Sequence, residues 1–240
     1  MPQSYSIFII GANRGIGFEL ATRLLEKGHK VYGSYRAQSR DNSAVVELQR
    51  RGMKTVEVDF TDEASIIDAS KMFEDQPLDI LINSAGIYHM WDDKPFTELS
   101  ADDLLDHFKV NTLGPFLTSK YLAPHLARST QGKIINISSD MASIADNTGG
   151  NACYRISKCA LNQLTKNMAV DFGQIAPNVI TLAVHPGYVP TKMTGYVGDD
   201  DMETCMTSLV NIVEVFGTPG APVSLSNGGY VRWNGDKMDY

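Results

Sequence analysis

Six short apolar runs, at residues 7–10, 31–35, 55–58, 80–83, 133–138 and 179–185, recur along the chain between longer stretches whose apolar residues return at helical spacing. Such runs are short for helices and rich in Ile and Val, so each reads as a strand covered on both faces. Strands that alternate with helices pair in parallel, because a parallel neighbour needs a crossover long enough to hold a helix. The pattern predicts an α/β fold with one doubly wound parallel sheet and helices on both faces. In such a sheet a ligand sits beyond the carboxyl ends of the strands. The residues with chemistry fall there: Gly11 after the first run, Arg36 after the second, Asp59 after the third, Asn83, Ala85 and Gly86 at the fourth, Ser138 and Ser139 at the fifth, Pro186 and Gly187 after the sixth.

The first run turns directly into Gly11, Ala12, Asn13, Arg14, Gly15, Ile16 and Gly17. Glycines between a strand and a helix allow a tight turn and close approach to a pyrophosphate, which the positive helix end attracts. The order is Gly, three residues, Gly, one residue, Gly, which departs from G-x-G-x-x-G. With this turn the fold class sharpens to a Rossmann-type sheet. The 240 residues are 43% hydrophobic and 20% charged, enough for one core, and a single domain over 1–240 is expected. A net charge of −7 with no basic stretch argues against a nucleic-acid partner. Nothing approaches a membrane span or a leader, so a cytoplasmic protein is expected. Cys153, Cys159 and Cys205 lack C-x-x-C spacing, and the histidines lack ligand spacing, so neither disulfide nor metal is assigned. Residues 192–228, with the acidic run Asp199, Asp200, Asp201, read either as a short helical lid over the site or as a solvated surface excursion.

Tyr154 and Lys158 stand one helical turn apart, after a strand closed by the serine pair. Reducing a ketone by hydride transfer leaves negative charge on oxygen, so it needs an acid and a carbonyl-holding donor. Tyr154 is the natural acid. A free phenol titrates near ~10, and Lys158 at i+4 is expected to favour the phenolate by its charge.

Taken together, the glycine turn, Asp59, the Asn83, Ser84, Ala85, Gly86 element, Asn111, the serine pair, Tyr154 with Lys158, and Pro186 with Gly187 resemble a classical short-chain dehydrogenase/reductase over nearly the whole chain. The ending from Gly228 to Gly235 is similar to the C-factor and sniffer-type carbonyl reductases. Two departures are visible: Ile10 stands where the family usually has threonine, and Ser84 replaces the second asparagine of Asn-Asn-Ala-Gly. The resemblance implies a catalytic set of Asn111, Ser139, Tyr154 and Lys158, with Ser139 favoured over Ser138 as the substrate-oxygen donor. Asn111 would hold a water that relays protons through Lys158. The implied cofactor contacts are Gly11, Asn13, Arg14, Gly15, Ile16, Gly17, Arg36, Asp59, Phe60, Asn83, Ala85, Gly86, Tyr154, Lys158, Pro186, Gly187, Val189 and Thr191.

Cofactor choice follows from charge at the second strand's end. A carboxylate there would suit NAD, whereas Arg36 with Arg14 offers two guanidinium forks to a 2′-phosphate. NADPH/NADP+ is expected. The substrate pocket is expected among His89, Met90, Trp91, Met141, Tyr188, Met193 and Tyr196, with His89, Trp91, Met141, Tyr188 and Met193 as its contacts. Its apolar, aromatic character points to a small hydrophobic or aromatic ketone, aldehyde or quinone. The functional expectation is an NADPH-dependent carbonyl reductase. Two alternatives stay open: an enoyl or imine reductase of the same fold, and a non-catalytic NADP(H)-binding sensor. The helices around Asn111 and after Tyr154 carry apolar stripes, and the resemblance implies that such helices pair across a two-fold axis, so a homodimer is expected.

Overall fold

The computed structural model describes residues 4–89 and 94–240. Seven strands form one sheet, β1 (Ser6–Ile10), β2 (Lys30–Tyr35), β3 (Lys54–Glu57), β4 (Ile80–Asn83), β5 (Gly132–Ile137), β6 (Val179–His185) and β7 (Gly229–Arg232). Their order across the sheet is β3-β2-β1-β4-β5-β6-β7, and every neighbouring pair is parallel. The helices are α1 (Gly15–Glu26), α2 (Ser43–Arg50), α3 (Glu63–Ser70), α4 (Ala101–Phe108), α5 (Gly114–Leu126), α6 (Ala152–Ile175) and α7 (Met202–Val215). None of the described helices is long and apolar enough to cross a membrane.

Alternation along each strand divides the core between the two faces of the sheet. Ile7, Ile9, Ile80, Ile82, Ile135, Leu182 and Val184 pack with Leu20, Ala21 and Leu24 of α1 and with Met206, Leu209 and Val213 of α7. Phe8, Ile10, Leu81 and Ile134 join Leu117, Leu122 and Leu126 of α5 and Met168 and Phe172 of α6 on the opposite face. Burial of one such Leu contributes about 2 kcal/mol, and Leu24→Ala would cost about 2–5 kcal/mol through the cavity it leaves.

The structure corrects the reading of residues 192–228. Residues 202–215 are α7, a sheet-covering helix with Cys205, Met206, Leu209, Val210, Ile212 and Val213 buried. Ion pairs Arg23–Glu203 and Lys27–Glu214, both at 2.7 Å, tie it to α1 and its C-terminal end. Its apolar stripe commits it to the core, so only the short turn before it borders the site. The helix expected around Asn111 is also interrupted. Between α4 and α5 the chain makes a wider, π-type turn over Lys109–Leu113, and that turn carries Asn111. Such widened turns displace backbone from the regular helix ladder and often occur at functional sites.

Candidate functional site

Two adjoining clefts lie beyond the carboxyl ends of the strands. The first runs over β1 and β2 and is lined by Gly11, Asn13, Arg14, Gly15, Ile16, Gly17, Arg36, Asp59, Phe60, Ala85 and Gly86, with Thr191 and Met193 at its inner end. The glycines are steric necessities. A Cβ on Gly17 would stand 2.2 Å from the Gly11 carbonyl oxygen, and one on Gly11 would stand 2.8 Å from Ala85 Cβ with φ at +85°. Arg14 precedes α1 without a side-chain cap on the helix. The first-turn N–H groups of α1 therefore suit an anion.

Arg14 and Arg36 both line this cleft, close enough for each to feel the other's charge. Burial, and then the charge of Arg36, lowers the Arg14 pKa. The nearby carboxylate of Glu57 is held by Arg40 at 2.9 Å, and neither Arg14 nor Arg36 has an ion pair among the described residues. Two mutually repelling guanidinium groups beside a phosphate-sized turn are matched by the 2′-phosphate of NADPH. The donor set thus fits that cofactor. Asp59 has its Oδ1 occupied by the Thr61 amide at 2.9 Å and hydroxyl at 2.7 Å. Phe60 packs against Gly114, where any Cβ would collide with its ring.

The second cleft lies over β5 and β6 and shares Ile16, Ser84, Gly86, Thr191 and Met193 with the first. Ser138, Ser139, Tyr154, Lys158, Pro186, Gly187, Tyr188 and Val189 line it with Met141. Its serines are distinguishable by geometry. Ser138 Oγ donates to Asn162 Oδ1 at 2.6 Å and is buried against α6. Ser139 begins the turn Asp140–Ala142 and lines the cleft with Tyr154, its Oγ donating to Asp140 Oδ1 at 3.1 Å and accepting from the Met141 amide at 3.2 Å. The Tyr230 hydroxyl donates to the Ser139 carbonyl and holds this turn on the end of the sheet.

Tyr154 and Lys158 are both buried, with Lys158 Nζ 5.9 Å from the phenol ring centre. Here the electrostatics reverse the expectation of a lowered tyrosine. Burial pushes the Tyr154 phenol up to about 12, with the hydrogen bond to Ser139 opposing and Asp140 and Tyr88 adding to the rise. Burial also pushes Lys158 down to about 8. Desolvation outweighs the mutual attraction because both groups leave water, and Lys158 Nζ donates to the Ile137 carbonyl at 2.8 Å. Near neutral pH the phenol therefore keeps its proton and the amine is charged.

Asn111 is fully buried. Its Oδ1 accepts from the Ile87 amide at 2.9 Å, and its Nδ2 donates to the Ile87 carbonyl at 2.9 Å and to Ser157 Oγ at 3.0 Å. The amide is committed to fixing the loop after β4 against α6. Two expected contacts are not brought to the clefts. Asn83 is buried and joins β4 to β5 and α5, donating to Asn136 and accepting from Thr118, both at 2.8 Å. His89 turns to His107, with ring centres 4.9 Å apart. Trp91 and Met90 lie outside the described residues. Met141, Tyr188 and Met193 do line the second cleft, whereas Tyr196 is exposed away from it. Tyr88, Asp140 and His185, which had not been singled out for the pocket, line it too. Tyr88 stacks edge-on to Tyr154 at 4.9 Å and donates to Asn151 at 2.8 Å. Strand alternation carried past β4 could have selected Tyr88 over His89.

A family model described as short chain dehydrogenase matches residues 6–202. Gluconate 5-dehydrogenase of Gluconobacter oxydans is 36% identical over 190 residues, which cover 78% of this chain and 72% of that protein. Among solved structures, NADPH-bound carbonyl reductase from chicken fatty liver superposes with a TM-score of 0.86 at 26% identity, covering 99% of this chain and 100% of that one. The carbonyl reductase Sniffer of D. melanogaster gives a TM-score of 0.86 at 28% identity with the same coverage. With its parallel seven-stranded sheet and its paired clefts, this chain belongs to the short-chain dehydrogenase/reductase family of oxidoreductases.

Proposed function

We propose that the protein is an NADPH-dependent carbonyl reductase. The observation that carries the reading is the meeting of Ser139, Tyr154 and Lys158 where the two clefts join, with the Arg14 and Arg36 pair in the first. NADPH, when bound, supplies the hydride that adds to the carbonyl carbon. Arg14, Arg36 and the amino end of α1 would hold its phosphates, while Asp59, Phe60, Ala85, Gly86, Thr191 and Val189 would border the rest. Ser139 turns its one hydroxyl proton from Asp140 to the substrate oxygen and orients it. Tyr154 transfers its phenolic proton to that oxygen, completing the alcohol. A phenol held up at about 12 stays protonated for this donation, which suits reduction. Lys158, charged below about 8, stabilises the phenolate left behind. Asn111 holds the π-type turn beside Lys158. Its amide being engaged, any proton relay at this residue would use its backbone.

The test is NADPH oxidation against aromatic ketones, aldehydes, quinones and keto-sugar acids, with Tyr154→Phe in parallel. The variant should lose about 10³–10⁴-fold in kcat and bind NADPH within about threefold of the parent. NADPH binding with no turnover on any carbonyl would overturn the reading in favour of a sensor.

We further propose that the active form is a homodimer. Leu105, Phe108, Leu113, Phe116 and Ile156, on α4, the π-type turn, α5 and α6, are all exposed apolar side chains, a composition that suits an interface between copies. A monomer mass by sedimentation at micromolar concentration would refute this. The turn from Thr191 to Tyr196, with Lys192 and Met193 on the first cleft, is the part of the expected lid that we retain.

A further inference from the structure

We propose that Asp140 makes the substrate cleft selective for uncharged carbonyl compounds over carboxylates, and that His185 beside it presents a fixed hydrogen-bond donor to the substrate. The proposal rests on the carbonyl-reductase reading and names the substrate class of that site.

Asp140 follows Ser139 in the short turn at the end of β5 and lines the second cleft, its side chain 49% exposed. Its Oδ1 accepts from the Met141 amide at 2.8 Å and from Ser139 Oγ at 3.1 Å, which anchors the carboxylate on the pocket wall beside the reacting groups. Its charge is felt at the phenol, where it helps to raise the Tyr154 pKa. Lys158 is the one lysine or arginine among the described lining residues, and its Nζ is engaged by the Ile137 carbonyl at 2.8 Å. A carboxylate lying on this wall would meet a fixed negative charge and leave water to do so, while the one lining ammonium is held at the Ile137 carbonyl and faces the phenol. A neutral substrate with a hydroxyl donor finds an acceptor there instead.

His185 closes β6 on the same wall and is almost fully buried. The Asp140 backbone N–H donates to His185 Nδ1 at 3.0 Å. Nδ1 must then present its lone pair, so the single proton of the neutral ring sits on Nε2. Burial lowers the His185 pKa, with Asp140 at 3.8 Å opposing, and the ring stays neutral. The same peptide unit thereby places an acceptor and a donor side by side. One relative of this chain is named for gluconate, a carboxylate, so a keto acid of that kind belongs in the test.

The test compares 4-acetylbenzoate with its methyl ester, and adds 5-keto-D-gluconate, for the parent, Asp140→Asn and the charge-keeping Asp140→Glu. The ester should be preferred in kcat/KM by the parent and by Asp140→Glu. Asp140→Asn should close that gap on the order of tenfold through KM, the effect left for like charges a few ångströms apart once partial exposure is discounted. An unchanged ester-to-acid ratio in Asp140→Asn overturns the proposal, as does a parent that prefers the acid. If Asp140→Asn does not fold, Asp140→Ser serves the same comparison. His185→Phe should raise the ester's KM several-fold with kcat nearly kept, and an unchanged KM removes His185 from the proposal. Calorimetry of benzoate and benzyl alcohol on the NADP+-loaded protein reads the same charge effect without turnover. Failure of every carbonyl would sink the reductase reading, while benzoate affinity gained about tenfold in Asp140→Asn would still uphold the charge claim and an unchanged affinity would end it.

Discussion

Two lysines are buried near opposite ends of β5, and they have little in common beyond that. Lys133, at the amino end, donates to the carbonyls of Val213 and Glu214 at 3.2 and 3.0 Å and so caps the C-terminus of α7. Lys158, reaching the carboxyl end from α6, lies in the cleft beside Tyr154. Burial pushes both down to about 8. A perturbed lysine therefore does not by itself mark a functional site in this molecule. Position decides: at the amino ends of the strands the polar groups answer one another, as Asp79 does by accepting from Ser6 and Ser129. At the carboxyl ends Ser139, Asp140, Tyr154 and Lys158 line an open cleft.

Replacing each lysine by methionine is the sharpest way to break that contrast. Lys158→Met should lower kcat by about 10³-fold, the scale of losing an essential proton-transfer partner. Lys133→Met should keep kcat within about threefold and instead cost about 1–3 kcal/mol of stability, because two carbonyls at the end of α7 lose their donor. Steady-state kinetics and urea denaturation on the two variants check this. Comparable losses of activity in both would end the distinction between the two ends of the sheet.

A smaller effect separates neighbours within the carboxyl end. Ser139→Ala should lose about 10²-fold in kcat/KM with little change in stability, since it removes a donor to the developing oxyanion. Ser138→Ala should do the reverse. It breaks the 2.6 Å bond to Asn162 and should cost about 1–2 kcal/mol while activity stays within about threefold. If Ser138→Ala were the inactive variant, the assignment of the two serines would have to be exchanged. In the first cleft, Arg36→Ala should weaken NADPH about tenfold and leave NADH nearly unchanged, because only the 2′-phosphate needs the second fork. Equal losses for both cofactors, measured by fluorescence titration, would remove the charge argument for NADPH.

The carboxyl end was also the more legible end, but only for part of its residues. Gly11, Gly17 and Tyr154 can be read from the chain because steric or chemical need restricts the residue type, and Ile80–Asn83 and Val179–His185 are strands with the expected limits. β7 was missed because Gly229–Arg232 is short and begins inside the glycine pair Gly228–Gly229, which reads as a turn. α7 was misread because the acidic run before it looks like a surface excursion, while the helix's buried stripe becomes meaningful only against α1. Asn83 and His89 show the other limit. Spacing identifies which residues stand near the end of a strand, yet side-chain direction depends on what packs beside them. Asn83 finds Asn136 and Thr118, and His89 finds His107.

The smallest expected effect brings the two lysines back together. Below about pH 8 both are charged in the folded chain, and burial costs stability. Between about 8 and the ordinary lysine value of 10.5 the folded chain releases protons that the unfolded chain still binds, so stability rises with pH. Cys205, raised from 9.0 to about 11, and Tyr154, raised from 10.0 to about 12, act in the opposite sense at higher pH, because the folded chain then retains protons that the unfolded chain sheds. The rise should therefore be visible in urea unfolding between pH 7.5 and 9.0, at about 1 kcal/mol for each lysine, and Lys133→Met should remove about half of it. Activity should run the other way over that interval, with kcat/KM falling as Lys158 loses its charge and the phenolate loses its partner. Lys133→Met should leave that fall untouched, because its amine reaches α7 and never the cleft. A variant that flattened both curves together would mean that the two ends of β5 titrate as one system, and that their separation into a structural end and a chemical end does not hold.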